Sequence, residues 1–155
     1  MSRLAKGELK LDEQLCFALY SASRLVTRAY QPVLAALSLT YPQYLLMMVL
    51  WERSAAGVEA PTVGGLAARL MLDSSTVTPL VKRLEQRGLL ARARDPHDDR
   101  AVFVQLTDAG FDLEAHAMQV PVEMMCGRDV EIAALVDLRD RVRIFVEQMS
   151  LGRAD

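Results

Sequence analysis

The sequence predicts a mainly α-helical protein with one small β-hairpin, arranged as a winged helix-turn-helix between N-terminal and C-terminal dimerisation helices. Two observations indicate this fold class. Residues 62–88 contain a short helical pattern, a brief turn and a second helical pattern with its own start and stop signals. Two strand patterns around a turn rich in Asp follow directly. A helix-turn-helix followed by such a hairpin is a winged helix, whose second helix enters the major groove of DNA.

The second helix of this pair has the most distinctive sequence. Asp73 is a typical N-cap residue and Gly88 supplies a left-handed stop, so one helix is expected between them. Its apolar stripe at helical spacing consists of Val77, Leu80, Val81 and Leu84. The other side carries short hydroxyls and then cations, which suit base edges and phosphates, although an ordinary solvated face is an equally good interpretation of this helix alone. The DNA-binding residues predicted here are Ser74, Ser75, Thr76, Thr78, Pro79, Lys82 and Arg83.

The hairpin is predicted from residues 89–94 and 101–106, which flank the turn D-P-H-D-D-R. Alternation in the second strand places three apolar residues on one face, Val102, Val104 and Leu106. Three arginines are expected to project from the hairpin towards phosphates or the adjacent minor groove, Arg92, Arg94 and Arg100. Residues 69–94 contain six basic and two acidic side chains, whereas the whole chain has a net charge of −2. The middle of the chain is therefore the part that attracts a polyanion.

An arm, two helices and a loop are predicted before the helix-turn-helix. The first ten residues have little pattern and are expected to form a loose arm. A helix is predicted from Asp12, with a kink or a break at Pro32. A second helix should begin near Thr40, with Pro42 in its first turn, and it is apolar nearly all round. It is therefore predicted to be the central core helix, followed by a loop over residues 57–61.

Two further helices are predicted after the hairpin. Thr107 caps the first, which continues towards Pro121, and the last runs from about Asp129 to Met149 with a wide apolar stripe. One small core cannot hide all these apolar faces, so we expect a homodimer with two recognition helices roughly 34 Å apart on a near-palindromic site. The predicted domains are residues 1–40 (arm and dimerisation helix), 41–106 (DNA-binding winged helix-turn-helix) and 107–155 (C-terminal dimerisation helices).

Composition narrows the class of protein. The chain has 155 residues, of which 52% are hydrophobic and 25% charged, as in ordinary globular domains. No apolar run approaches the roughly 18 residues of a membrane span, and no leader pattern opens the chain, so a cytoplasmic protein without membrane contact is expected. Its two cysteines, Cys16 and Cys126, are too few for a disulfide scaffold or a zinc site. No metal, cofactor or catalytic set of residues is expected, which argues against an enzyme.

Three phrases resemble a known family. D-S-S-T-V-T-P-L-V-K-R-L-E-Q-R-G-L-L and R-D-P-H-D-D-R-A-V-F-V-Q-L-T-D-A-G are similar to the MarR family of dimeric bacterial repressors, and L-D-E-Q-L-C-F-A-L-Y-S-A-S-R resembles its organic-hydroperoxide-sensing branch, OhrR. The resemblance implies that Cys16 senses peroxide and that Cys126 is the resolving cysteine. It also implies that the hydroxyls of Tyr30 and Tyr41 hold the Cys16 thiolate, one of them from the other subunit. Tyr20 joins this redox-sensing set because it shares the helix stripe of Cys16.

The chemistry supports the same hypothesis. Thiolate, not thiol, attacks a peroxide, so a sensor cysteine needs access and donors that stabilise the anion. Tyrosine hydroxyls in an apolar pocket provide such donors and favour organic hydroperoxides. A lone cysteine or tyrosine is more often a core residue, and only its combination with the winged helix favours a sensor.

The predicted function is a dimeric repressor that binds double-stranded operator DNA when reduced and releases it when organic hydroperoxide oxidises Cys16. Two alternatives remain open. One is a MarR-type repressor released by a small phenolic or aromatic ligand. The other is a thiol peroxidase that uses Cys16 and Cys126, against which the basic recognition helix and wing argue.

Overall fold

The computed structural model describes residues 10–95, 98 and 101–151 of the chain. The chain divides into two compact units, Met1–Met124 and Met125–Asp155. The elements, in chain order, are a 3₁₀ turn at Leu11–Glu13, α1 Leu15–Ala36, α2 Tyr41–Ala55, α3 Val63–Leu70, α4 Ser74–Gln86, β1 Leu90–Arg94, β2 Val102–Leu106, α5 Asp108–Ala117, α6 Val120–Met125 and α7 Ile132–Leu151. The predicted fold class, mainly helical with one β-hairpin, is confirmed.

The centre of the first unit is α2. Its predicted start is confirmed, since Thr40 is the N-cap and the Gln43 side chain accepts a hydrogen bond from the Thr40 N–H at 2.9 Å. Leu46 and Met47 are completely buried. The helix packs against α1, α3, α4, α5 and β2. An apolar sequence on nearly every face of α2 is therefore matched by neighbours on nearly every side.

The hairpin is antiparallel, with Leu90 opposite Leu106 and Arg94 opposite Val102. Val104 is completely buried, and its N–H donates to the Pro61 carbonyl at 2.9 Å. This bond ties the second strand to the segment just before α3. The predicted face of the second strand is confirmed, because Val104 points into the core and the residues on either side of it in that stripe are half-buried.

Several sequence expectations about helix ends were wrong. The first helix begins at Leu15 rather than Asp12, and it runs through Pro32 without a break to Ala36. Proline removes one helical N–H donor and its ring crowds the carbonyl four residues earlier, and here the helix continues without that hydrogen bond instead of ending. Asp73 is the N-cap of α4, as predicted, but its side chain makes no capping hydrogen bond; its backbone carbonyl accepts from the Thr76 and Val77 N–H groups.

The boundaries near the C-terminus also differ from the expectation. The α5 helix ends at Ala117, and Pro121 lies in the first turn of α6 instead of ending a helix, a place where its missing N–H costs nothing. The last helix begins at Ile132, not Asp129. Residues 1–9 of the predicted arm lie outside the described residues. The predicted domain boundaries stay a prediction.

Within the described residues, no single helix combines the length and apolar character needed to cross a membrane. The α1 and α2 helices meet those two criteria only as a pair, and the pair is bent by 75°.

Gly110 is the most tightly enclosed of the described glycines in the first unit. A Cβ atom there would overlap the carbonyl oxygen of Leu89, and the Gly110 carbonyl accepts a hydrogen bond from the Trp51 indole N–H at 2.9 Å. The same Leu89 carbonyl accepts from the Thr107 N–H at 3.2 Å. Gly110 thus fixes how closely α5 approaches the start of β1 and the end of α2.

We predict that Gly110→Ala lowers the free energy of unfolding by about 1–3 kcal/mol or more, because the added methyl forces two backbone segments apart. Gly64→Ala is the matched control, since a Cβ there meets only the Thr62 hydroxyl oxygen at 3.8 Å. We expect its stability to be unchanged or raised by up to about 1 kcal/mol. Urea denaturation of both variants checks this, and equal stabilities would contradict it.

Candidate functional site

The helix-turn-helix is formed by α3 and α4. The Thr62 hydroxyl caps α3 by accepting from the Gly65 N–H at 3.0 Å, and Met71 ends the helix in a left-handed conformation with φ of 54°. Leu72 and Asp73 then lead to Ser74, the first residue of α4. The predicted apolar stripe of α4 is confirmed, because Val77, Val81 and Leu84 are buried and Leu80 packs against them. The polar side of α4 is therefore turned outward.

Most of the predicted DNA-binding residues on α4 are exposed. They are Ser74, Ser75, Thr76, Pro79, Lys82 and Arg83. Thr78 is half-buried, and its hydroxyl donates to the Ser74 carbonyl at 2.8 Å. With its proton engaged in this way, that hydroxyl can only accept a further hydrogen bond.

The wing arginines differ from one another. Arg92, predicted to project towards phosphates, instead pairs with Glu85 of α4: its Nε and Nη2 donate to Oε2 at 2.8 and 2.6 Å, and its backbone N–H donates to Oε1 at 3.2 Å. The hydrogen bond from Arg92 lowers the pKa of the Glu85 carboxyl, which keeps the pair charged. Arg94 is exposed and forms no ion pair with any described residue. Arg100 lies outside the described residues.

Both cysteines are free and exposed. Cys16 is in the first turn of α1, and Tyr20 follows one turn later on the same side as a residue that is 58% exposed. The Arg24 guanidinium carbon lies 5.6 Å from the Tyr20 ring centroid, a cation–π contact. Cys126 is in the turn after α6, beside Gly127 with a φ of +75°. Within the part of the chain that the structure describes, no group of His, Cys, Asp or Glu is arranged as a metal site.

Three tyrosines form a cluster where α1 meets α2. The centroid of the Tyr30 ring lies 5.2 Å from that of Tyr41 and 6.0 Å from that of Tyr44. Burial raises the pKa of all three hydroxyls, and the neighbouring rings add to the effect for Tyr30 and Tyr44. Each hydroxyl therefore stays protonated at neutral pH and remains a hydrogen-bond donor. We name Tyr30, Tyr41 and Tyr44 the tyrosine cluster.

Cys16 lies far along α1 from the tyrosine cluster of its own chain. Cys16 and Tyr30 are 14 residues apart in one continuous helix, which corresponds to about 21 Å along the axis. The same spacing turns the helix through nearly four complete turns, so both residues face one side. Tyr41 lies with Tyr30, not with Cys16. One side of α1 therefore presents a thiol near its start and phenol donors near its end.

Sequence reasoning missed four residues that shape this site. Tyr44 follows Tyr41 by three residues on α2, and that spacing alone could have placed it in the cluster. Glu85 and Gly110 act on residues in other elements, so no local pattern marks them. Arg87 donates to two backbone carbonyls at the end of α1 and has no sequence signal beyond its position next to Gly88.

Comparison with known proteins identifies the family. The model of the family described as "Transcriptional regulator SarA/Rot" matches residues 28–115. The chain is 45% identical over 113 residues to the organic hydroperoxide resistance transcriptional regulator of Bacillus subtilis, covering 73% of this chain and 74% of that protein. The chain belongs to the MarR/SarA family of winged-helix transcriptional regulators. The predicted family is thereby confirmed.

Solved structures of this MarR/SarA type extend the similarity over most of the chain. Reduced AbfR bound to DNA matches with a TM-score of 0.74 and 29% identity, over 90% of this chain and 94% of AbfR. A disulfide-formed AbfR matches with a TM-score of 0.61 and 30% identity, over 88% and 92%. CouR from Rhodococcus jostii RHA1, bound to p-coumaroyl-CoA, matches with a TM-score of 0.70 and 25% identity, over 88% and 94%.

The raised pKa values in the tyrosine cluster predict a loss of stability in alkali. A hydroxyl whose folded-state pKa exceeds the unfolded value of about 10 stabilises the fold fully below that pH and loses the contribution as pH rises through the folded pKa. We therefore expect the free energy of unfolding to fall above about pH 10. Tyr30→Phe should make that fall shallower, because it removes one buried phenol and lowers the pKa of Tyr44.

Tyrosinate absorbance, followed during alkaline titration with parallel denaturation curves, measures both effects. Ionisation of the cluster at the ordinary tyrosine pKa would contradict the burial seen here.

Proposed function

We propose that this regulator is a dimeric, thiol-based repressor that binds operator DNA when reduced and releases it when an organic hydroperoxide oxidises Cys16. The observation that carries the proposal is an exposed Cys16 thiol on the side of α1 that also presents Tyr30. Its 45% identity to an organic hydroperoxide resistance regulator supports the choice of oxidant. A cytoplasmic location remains a prediction.

DNA contact is assigned to the outward side of α4 and to the wing. The exposed hydroxyls of Ser75 and Thr76 and the cations of Lys82 and Arg83 are placed on one helix that is not otherwise packed on that side. Arg94 supplies the wing cation, because Arg92 is already paired with Glu85. Short hydroxyls address base edges, and cations address phosphates. The similarity to a DNA-bound AbfR structure supports this assignment.

A dimer is supported by apolar surface on two helices, each considered in its own unit. The α1 helix has 22 residues with Leu34 as its buried residue, and Leu15 and Leu25 are 58% and 65% exposed. None of the α7 residues is buried, and its apolar residues Ile132, Leu138 and Ile144 are all more than half exposed. Burial of such side chains is worth about 1.5–3 kcal/mol each. A second copy of the chain is the partner that we propose for these faces.

Two-fold symmetry would also complete the sensor. If the α1 helices of two subunits cross in opposite directions midway between Cys16 and Tyr30, each thiol meets the partner subunit's tyrosine cluster. The rings of Tyr30 and Tyr41 pack together, so we propose that both come from the same partner, in place of the one expected from sequence. Their protonated hydroxyls then donate to the thiolate.

The proposed chemistry balances without a cofactor. The Cys16 thiolate attacks the terminal oxygen of the hydroperoxide, the O–O bond breaks, and the alkoxide leaves and takes a proton to become an alcohol. Cysteine is oxidised to sulfenic acid while the peroxide is reduced. The thiol of Cys126 from the partner subunit then displaces water from the sulfenic acid and forms a disulfide.

A ligand-released regulator is the second candidate, and one cavity favours it. The cavity has a volume of about 270 Å³ and lies between α2 and α5, lined by Tyr44, Met48, Trp51 and Met118 among others. The lining is mostly apolar and aromatic, with Glu52 and Glu114 as its charged members, and it suits a small aromatic compound. The similarity to CouR bound to p-coumaroyl-CoA points in the same direction.

Cys16→Ser separates the two candidates. We expect the variant to keep its affinity for a duplex selected from a random pool by the reduced wild-type protein. Cumene hydroperoxide should weaken wild-type binding about 5–150-fold, the usual range of coupled sites, and should leave Cys16→Ser binding unchanged. Electrophoretic mobility shift in reducing and oxidising buffers measures both. Release of the serine variant by peroxide, or release of the wild type only by an aromatic acid, would contradict thiol sensing.

Cys126→Ser is the control for the resolving step. The variant should still lose its Cys16 thiol to peroxide, but it should form no crosslinked species on non-reducing electrophoresis. The oxidised wild type should run there at twice its apparent mass. A crosslink that persists in this variant would contradict the role of Cys126.

The two described wing arginines predict different salt dependences. Arg94→Ala should weaken binding to every duplex by a similar factor and reduce the slope of log affinity against log salt by about 1, because one phosphate contact is lost. Arg92→Ala is the matched variant, and we expect a smaller change in slope because its charge is already neutralised by Glu85. Equal slope changes in fluorescence anisotropy titrations would contradict this division of roles.

A further inference from the structure

Arg87 connects the end of the recognition helix to the end of α1. It is the C-cap residue of α4, and its Nη1 and Nη2 donate to the carbonyl oxygens of Ser38 and Leu37 at 2.6 and 3.1 Å. The two acceptors are consecutive along the backbone. The planar guanidinium fork fits such a pair of oxygens, and a lysine ammonium lacks that geometry.

The acceptors belong to the turn that closes α1. Ser38 has a left-handed φ of 53°, its N–H donates to the Ala35 carbonyl, and the Leu39 N–H donates to the Leu34 carbonyl, both at 3.0 Å. These two hydrogen bonds together form a Schellman motif. The Leu37 and Ser38 carbonyls are left at the negative end of the helix, where a cation is favourable. Arg87 therefore satisfies groups that the turn itself does not.

The same turn holds the tyrosine cluster in place. It lies between Tyr30 in α1 and Tyr41 in α2, and its flanking residues Leu34 and Leu39 are buried in the core. We therefore expect a displacement of Tyr30 and Tyr41 to move the backbone carbonyls that accept hydrogen bonds from Arg87. The α2 helix also links α1 to α4, because it packs against both helices.

We propose that Arg87 is a positioning residue that transmits the state of the tyrosine cluster to the recognition helix. The proposal rests on the thiol-sensing function proposed above. In the reduced protein, the two hydrogen bonds set the tilt of α4 at its C-terminal end. When oxidation of Cys16 withdraws the thiolate from the tyrosine hydroxyls, the α1–α2 turn shifts and carries Arg87 and α4 with it.

Arg53 offers a matched control in the same unit. Its Nε and Nη2 donate to the Glu59 carbonyl at 3.0 and 2.7 Å, so it also uses a guanidinium fork on exposed backbone. That contact joins α2 to its own following loop and does not reach α4. Arg53→Met and Arg87→Met remove the same kind of bond and keep the alkyl stem, but only Arg87→Met cuts the connection proposed here.

The experiment measures affinity for the selected duplex before and after cumene hydroperoxide, together with the fraction of Cys16 thiol lost by alkylation labelling. We expect wild type and both variants to lose thiol equally. The ratio of reduced to oxidised affinity should be about 5–150 for the wild type and for Arg53→Met. For Arg87→Met, the ratio of reduced to oxidised affinity should be at least about fivefold smaller than for the wild type and should approach 1.

Arg87→Lys keeps the charge but loses the fork, so its ratio should lie between those of wild type and Arg87→Met. This variant decides the question if thermal denaturation shows that Arg87→Met is unfolded. A wild-type ratio reproduced by Arg87→Met, or by Arg87→Lys when Arg87→Met does not fold, would overturn the role of Arg87 alone. A wild type that loses its Cys16 thiol and still binds the duplex equally well would overturn the thiol-sensing function, and this inference with it.

Discussion

Burial of α2 is the constraint on which the rest of the first unit depends. This helix contacts α1, α3, α4, α5 and β2, and its residues Leu46 and Met47 are completely enclosed. Protein interiors are packed as densely as organic crystals, so neighbours of such a helix cannot shift independently. The α2 helix therefore sets the position of the recognition helix, while its first turn carries Tyr41 and its last turns carry Trp51. The tyrosine cluster and the helix-turn-helix are thus both positioned by α2.

Within that frame, basic side chains serve two distinct purposes. Arg53, Arg87 and Arg92 donate to carbonyl or carboxylate oxygens of the same unit and hold elements together. Lys82, Arg83 and Arg94 lie on the outer side of α4 and the wing, where a polyanion would be met. Counting basic residues along the chain overstates the charge available to DNA, because paired cations add little to the field. The geometry of each side chain decides which purpose it serves.

The residues of the proposed redox sensor are divided along one helix. Cys16 and Tyr30 face the same side of α1 but are separated by about 21 Å of helix axis, so one chain presents both halves of the proposed site without joining them. Exposed apolar residues such as Leu15 and Leu25 occupy the same helix. A dimer would bury these residues and bring the halves together in one step, which makes assembly and sensing parts of the same proposal. The contact of Arg87 with the α1–α2 turn then offers a path from that interface to DNA.

The sequence alone determined the winged helix-turn-helix, since Thr62, Thr107 and Gly88 mark helix ends by local capping chemistry and Val77, Val81 and Leu84 mark a buried face by spacing. It also predicted Cys16, Tyr30 and Tyr41 as one redox-sensing set, through resemblance to a family, and that set stays a prediction. Only the tertiary structure decided that Arg92 pairs with Glu85, that Arg87 grips the end of α1, and that Gly110 has no room for a methyl group. Such contacts join residues of different elements, and their energy depends on distances between atoms that no local pattern encodes.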